Sequence, residues 1–107
     1  MNKPLTNDRR GSRRLALSLP VEVCGEGPFN RQTLRGRTRD VGAKGVYFVC
    51  EEAYTVGQLV HVTIRLSGVL IAGTDSVSLT LRYRVQRVEE IFRDGSRTFG
   101  IAAALDE

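Results

Sequence analysis

The stretch Val77-Ser78-Leu79-Thr80-Leu81-Arg82-Tyr83-Arg84-Val85-Gln86 decides the fold class. Apolar residues occupy every odd position and polar ones every even position, the period of two of a strand with one face buried. A few residues on, Arg93-Asp94-Gly95-Ser96 supplies an Asp-Gly pair, the strongest short-range signal for a hairpin. Beyond it, Phe99, Ile101, Ala103 and Leu105 alternate through what reads as the partner strand.

The same period recurs upstream. Leu15, Leu17, Leu19, Val21 and Val23 alternate with small or polar residues and predict one strand, with Pro20 marking an edge or bulge. Gly25 to Asn30 is a turn cluster, and Arg31 to Arg39 reads as a second strand with Arg35, Arg37 and Arg39 on one face, read as solvated for Arg35 and Arg37. Val46 to Cys50 is a short apolar strand, and the stretch opened by Gly57 alternates at Val60, Val62, Ile64 and Leu66. His61 falls on the polar phase of that strand and is expected to be exposed. Val69-Leu70-Ile71-Ala72 reads as a short strand or as part of a long loop. About six strands with hairpin-scale gaps and no helical period predict an all-β, small six-stranded antiparallel barrel, because closure removes the edges that a small open sheet would expose.

At 107 residues, with 41% apolar and 26% charged residues, the chain suits one globular domain. Residues 1–8 read as a flexible tail, and 9–107 as a single domain that includes an arginine arm at 9–14. No apolar run is long enough for a transmembrane helix, and the first residues carry no signal-peptide core, so a cytoplasmic protein without membrane insertion is expected. One histidine and two distant cysteines, Cys24 and Cys50, assemble no metal site. No nucleophile–base pair is visible and Asp40 has no companion carboxylate, so no enzyme is expected.

The charge is uneven. Residues 1–44 hold ten basic and four acidic side chains, a net of +6; residues 45–107 hold six basic and eight acidic, a net of −2. The positive end begins with Arg9-Arg10-Gly11-Ser12-Arg13-Arg14, four arginines in six residues just ahead of the first strand. Arginine is suited to bidentate recognition of phosphate and of guanine edges. A second feature, Asp40-x-Gly42-x-x-Gly45, lies between the second and third strands, where glycine permits positive φ and close backbone approach.

Together, in this order and strand context, the two features resemble the PilZ family, the bacterial receptor domains for cyclic di-GMP. Arg10 and Arg14, with Arg9 in front, match that family's R-x-x-x-R, and Asp40 and Gly45 match the ends of its D/N-x-S-x-x-G. Gly42 stands where the family has serine. Val56-Gly57-Gln58-Leu59-Val60, Tyr83 to Val88 and Phe99-Gly100-Ile101 extend the likeness over nearly the whole chain. The resemblance implies a barrel whose N-terminal arm closes over cyclic di-GMP, with Arg9, Arg10, Arg14, Asp40, Gly42 and Gly45 as ligand-binding residues and no cofactor besides that ligand. It implies a role in bacterial second-messenger signalling, such as motility or biofilm control, through an unidentified protein partner. Asp40 would accept from guanine N–H groups. Loss of the serine hydroxyl would cost one hydrogen bond, about 0.5–1.5 kcal/mol. Arg9 in front of R-x-x-x-R implies that the ligand binds as a stacked, intercalated dimer. The chain ends just past the last strand, without the C-terminal helix that helps many relatives dimerise, and a monomer is expected without ligand.

Two other readings remain at this stage. One is a degenerate PilZ interaction module that binds no nucleotide, favoured by Gly42. The other is a small nucleic-acid-binding barrel; it is disfavoured by 7% aromatic residues and no tryptophan, since single-strand binders stack bases on aromatic side chains. No nucleic acid polymer is expected as a partner.

Overall fold

The computed structural model describes residues 14–27, 32–66 and 77–107. All its regular structure is strand: β1 Arg14–Leu15, β2 Pro20–Gly25, β3 Thr33–Gly42, β4 Gly45–Cys50, β5 Leu59–Arg65, β6 Ser78–Arg93 and β7 Ser96–Leu105. Every pairing is antiparallel. The order β3-β2-β5-β6-β7-β4 closes through a further β3–β4 pairing, and β1 adds to the far end of β3. The expected six-stranded barrel is therefore present, with one short extra strand.

The inward phase of each strand fills the barrel. Val21 and Val23 of β2, Val46, Phe48 and Cys50 of β4, Val60, Val62 and Ile64 of β5, Tyr83 and Val85 of β6, and Ile101 and Ala103 of β7 form one buried cluster with Leu19. Burial of β-branched side chains of this kind contributes about 1.5–3 kcal/mol each. The Asp94-Gly95 turn joins β6 and β7 with φ of 53° and 78°, the left-handed pair that a two-residue hairpin needs.

Three sequence expectations are corrected. The strand expected from Leu15 to Val23 is two strands. β1 pairs with the end of β3, Arg14 opposite Gly42, and β2 pairs with its start, Pro20 opposite Arg37. Between them Thr38 takes over the ladder: its buried hydroxyl donates to Leu17 O and accepts from Leu19 N at 2.9 Å. Pro20, which lacks an N–H, begins β2. Second, β3 runs on through Asp40 to Gly42, so the glycine motif is a strand end followed by a two-residue turn. Neither Gly42 nor Gly45 has positive φ. Third, the odd-numbered apolar phase of β6 does not hold throughout: Leu79 is exposed, and a bulge between Val85 and Arg87 moves the core phase to Val88. The tail at 1–8, arm residues 9–13 and Val69 to Ala72 lie outside the described residues.

Candidate functional site at the β1–β3–β4 corner

A bulge in β3 builds the site. Up to Thr38, the even residues of β3 face inward; Thr38 lies opposite Phe48, and Asp40, not Arg39, lies opposite Tyr47. The extra residue reverses the phase of the strand, since side chains alternate strictly. Val41 then packs inward opposite Val46, and Asp40 and Gly42 share the outer face with Tyr47. Without the bulge, the Asp40 carboxylate would point into an apolar core.

β1 brings its arginine to the same face. Arg14 sits opposite Gly42, and its Nη1 donates to Asp40 Oδ1 at 2.6 Å. The side chains are 29% and 35% exposed, so solvent or a ligand can reach both. The Arg14 guanidinium also lies over Gly45. A Cβ there would stand 2.8 Å from Arg14 Nη2 and 3.1 Å from Ala103 O. Glycine at 45 therefore clears the space that Arg14 fills; its role is close approach, not left-handed backbone.

The structure thus brings Arg14, Asp40, Gly42 and Gly45 together, from two sequence features 26 residues apart. Arg9 and Arg10 lie outside the described residues. The pair can present a guanidinium fork to a phosphate or a guanine, and a carboxylate to N–H donors.

A neighbouring group on the same face was not legible in the sequence. Tyr47 is almost fully buried although it is on the outer phase, and its hydroxyl donates to Glu89 Oε1 at 2.7 Å. Arg39 lies over the Tyr47 ring, 5.8 Å from its centre, and Arg87 pairs with Glu89 at 3.2 Å. Burial, then the bond to Glu89, raises the Tyr47 pKa. The only available signal was an aromatic residue on the outward phase of an otherwise apolar strand. The arginines read as a solvated face, Arg35 and Arg37, are both exposed, and Arg37 also donates to Ser18 Oγ and O, both at 2.9 Å. His61 is partly exposed as expected, 3.5 Å from Glu26. Among the described residues, no group of three or more histidine, cysteine, aspartate or glutamate side chains is placed to hold a metal ion, and no helix is long and apolar enough to cross a membrane.

Among curated proteins none matches the sequence. A solved structure described as the Bacillus subtilis inhibitor of motility (MotI/DgrA) resembles the chain in fold, with a TM-score of 0.65 at 17% identity over 90% of the chain. The chain spans 43% of that protein's length. The PilZ domain family model matches residues 8–103, from the start of the arginine cluster to the last strand; with the arginine strand and the Asp40–Gly45 hairpin joined at one corner of a six-stranded barrel, the chain belongs to the PilZ domain family.

Proposed function

We propose that this chain is a cyclic di-GMP receptor that acts through a protein partner, and that Arg9, Arg10, Arg14, Asp40, Gly42 and Gly45 form the ligand site. The observation that supports it most is the 2.6 Å Arg14–Asp40 ion pair. It joins the two halves of the family motif in a solvent-accessible place. Arg10 and Arg14 supply guanidinium forks for phosphate or for guanine O6 and N7. Asp40, freed or shared by Arg14, accepts from guanine N1–H and the exocyclic amine. The arm at 9–14 loses conformational entropy on closing, and several charge-assisted bonds offset that loss. Arg9 favours a stacked ligand dimer, two molecules per protomer.

The reading as an interaction module without nucleotide binding is carried by Gly42. The Arg14–Asp40 pair weighs against it, because both side chains remain partly solvent-exposed. Titration calorimetry with cyclic di-GMP separates the two. The receptor predicts saturable binding by the wild type and a loss of at least about tenfold in Arg10→Ala, the scale of a charge-assisted bond. No heat of binding in the wild type would favour the interaction module.

A further inference from the structure

The outer face has a second basic region, built differently from the first. Ten arginines lie among the described residues. Six have carboxylate partners: Arg14, Arg65, Arg82, Arg84, Arg87 and Arg97. The other four are Arg35, Arg37, Arg39 and Arg93, and all four line one depression of ≈ 500 Å³. Glu51 is the one acidic side chain on its rim. Arginines that make no ion pair are thus gathered in one place, on strands from two different parts of the sequence.

The topology opens this depression. β4 ends at Cys50, opposite Gly36 of β3 and Phe99 of β7. β3 continues past that point to Thr33, and the β6–β7 hairpin continues to Arg93 and Ser96. Among the described residues no strand pairs with β7 over Ser96–Thr98 on the side that β4 has left. One bank is the β3 arginines, the other is Ile91 and Arg93 of β6, and Val49 contributes apolar floor.

We propose that this groove docks an extended, acidic segment of a partner protein. Arg35 and Arg37 are two residues apart on a strand, about 7 Å at roughly 3.3 Å per residue. Alternate side chains of an extended peptide have the same spacing, so successive carboxylates can meet successive guanidinium groups. The unpaired β7 edge offers main-chain N–H and C=O groups, the means by which a sheet edge captures an added strand. Val49 on the floor and Ile91 on the β6 bank offer apolar surface for a side chain between carboxylates. A compact anion is poorly served here, because the guanidinium groups line opposite banks instead of converging. The inference goes beyond nucleotide recognition and does not depend on it, since none of Arg14, Asp40, Gly42 and Gly45 lines the groove.

The test is fluorescence anisotropy, without nucleotide, using a fluorescein-labelled nonapeptide that alternates glutamate with valine. Saturable binding is expected for the wild type, with a loss of at least about tenfold in the Arg35→Glu/Arg93→Glu variant, since close charge pairs are strongly coupled. Arg82→Gln removes a positive charge opposite His61, away from the groove, and is expected to bind within about twofold of wild type, as for an exposed charge. An NMR spectrum of each variant reports folding. If the double variant unfolds, Arg93→Gln alone must weaken binding about threefold or more, near the lower end of a single net hydrogen bond. Absence of saturation in the wild type, equal affinity in the folded groove variants, or displacement of the peptide by inorganic pyrophosphate at micromolar concentration would each overturn the proposal.

Discussion

At the scale of single residues, the site depends on what is missing as much as on what is present. Gly45 has no Cβ, and Arg14 occupies the space. Gly45→Ala would push the guanidinium away from Asp40, because that side chain yields more easily than the Ala103 carbonyl. Ligand affinity should therefore fall by about tenfold, one charge-assisted bond, while the thermal midpoint changes little. Equal affinity in Gly45→Ala would show that Arg14 does not need this position. Gly42 lies opposite Arg14, so Gly42→Ser would place a hydroxyl beside the same guanidinium. The proposed site predicts binding up to roughly tenfold tighter, the worth of one added hydrogen bond; calorimetry on the two proteins checks it.

At the scale of elements, two irregularities do what regular strands could not. The Arg39 bulge turns Asp40 outward, and the Thr38 hydroxyl holds the chain between β1 and β2. Thr38→Val keeps the shape but leaves Leu19 N–H without its acceptor in a buried place. A loss of about 1–3 kcal/mol in urea unfolding is expected, the cost of an unmet buried donor, together with weaker ligand binding as β1 loosens. A neutral result would mean that backbone or water replaces the hydroxyl. These irregularities also explain what the sequence left hidden. The alternation of Val60, Val62 and Ile64 and the Asp94-Gly95 turn were legible because each follows from a local rule. The break after Leu15 was not, since Leu17 and Leu19 keep the period of two across it and a side chain 19 residues further on makes it. Bulges are equally silent, because one extra residue changes register without changing composition. The corner of Arg14, Asp40, Gly42 and Gly45 was legible only as two family motifs; their contact depends on the bulge. Tyr47 and Glu89, 42 residues apart, were invisible as a pair.

At the scale of the whole molecule, the barrel carries buried ionisable groups that should register in its pH stability. Burial pushes the Cys50 thiol from its ordinary 9.0 up to about 11. The folded state therefore holds its proton when the unfolded chain has lost it. Stability from this source is complete below about pH 9 and declines as pH rises to about 11, by at most about 1.4 kcal/mol per pH unit. Burial raises Tyr47, Tyr54 and Tyr83 as well, so the decline continues above pH 10. Urea midpoints measured from pH 8 to 11 should fall, and Cys50→Ala should flatten the part between 9 and 10. A profile identical in the variant would assign the whole effect to the tyrosines.

The molecule as a whole is then a closed barrel with two basic regions on its outer face: a corner where an arginine is held by a carboxylate, and a groove where four arginines have none. The first is the proposed nucleotide site and the second the proposed partner site. Calorimetric titration of cyclic di-GMP into the wild type, Arg10→Ala and Arg14→Ala is the decisive measurement for the corner. Saturable binding by the wild type with two ligands per protomer is expected, and a loss of at least about tenfold in each variant. One ligand per protomer would remove the role given to Arg9. No binding by the wild type, or equal affinity in all three proteins, would contradict the account.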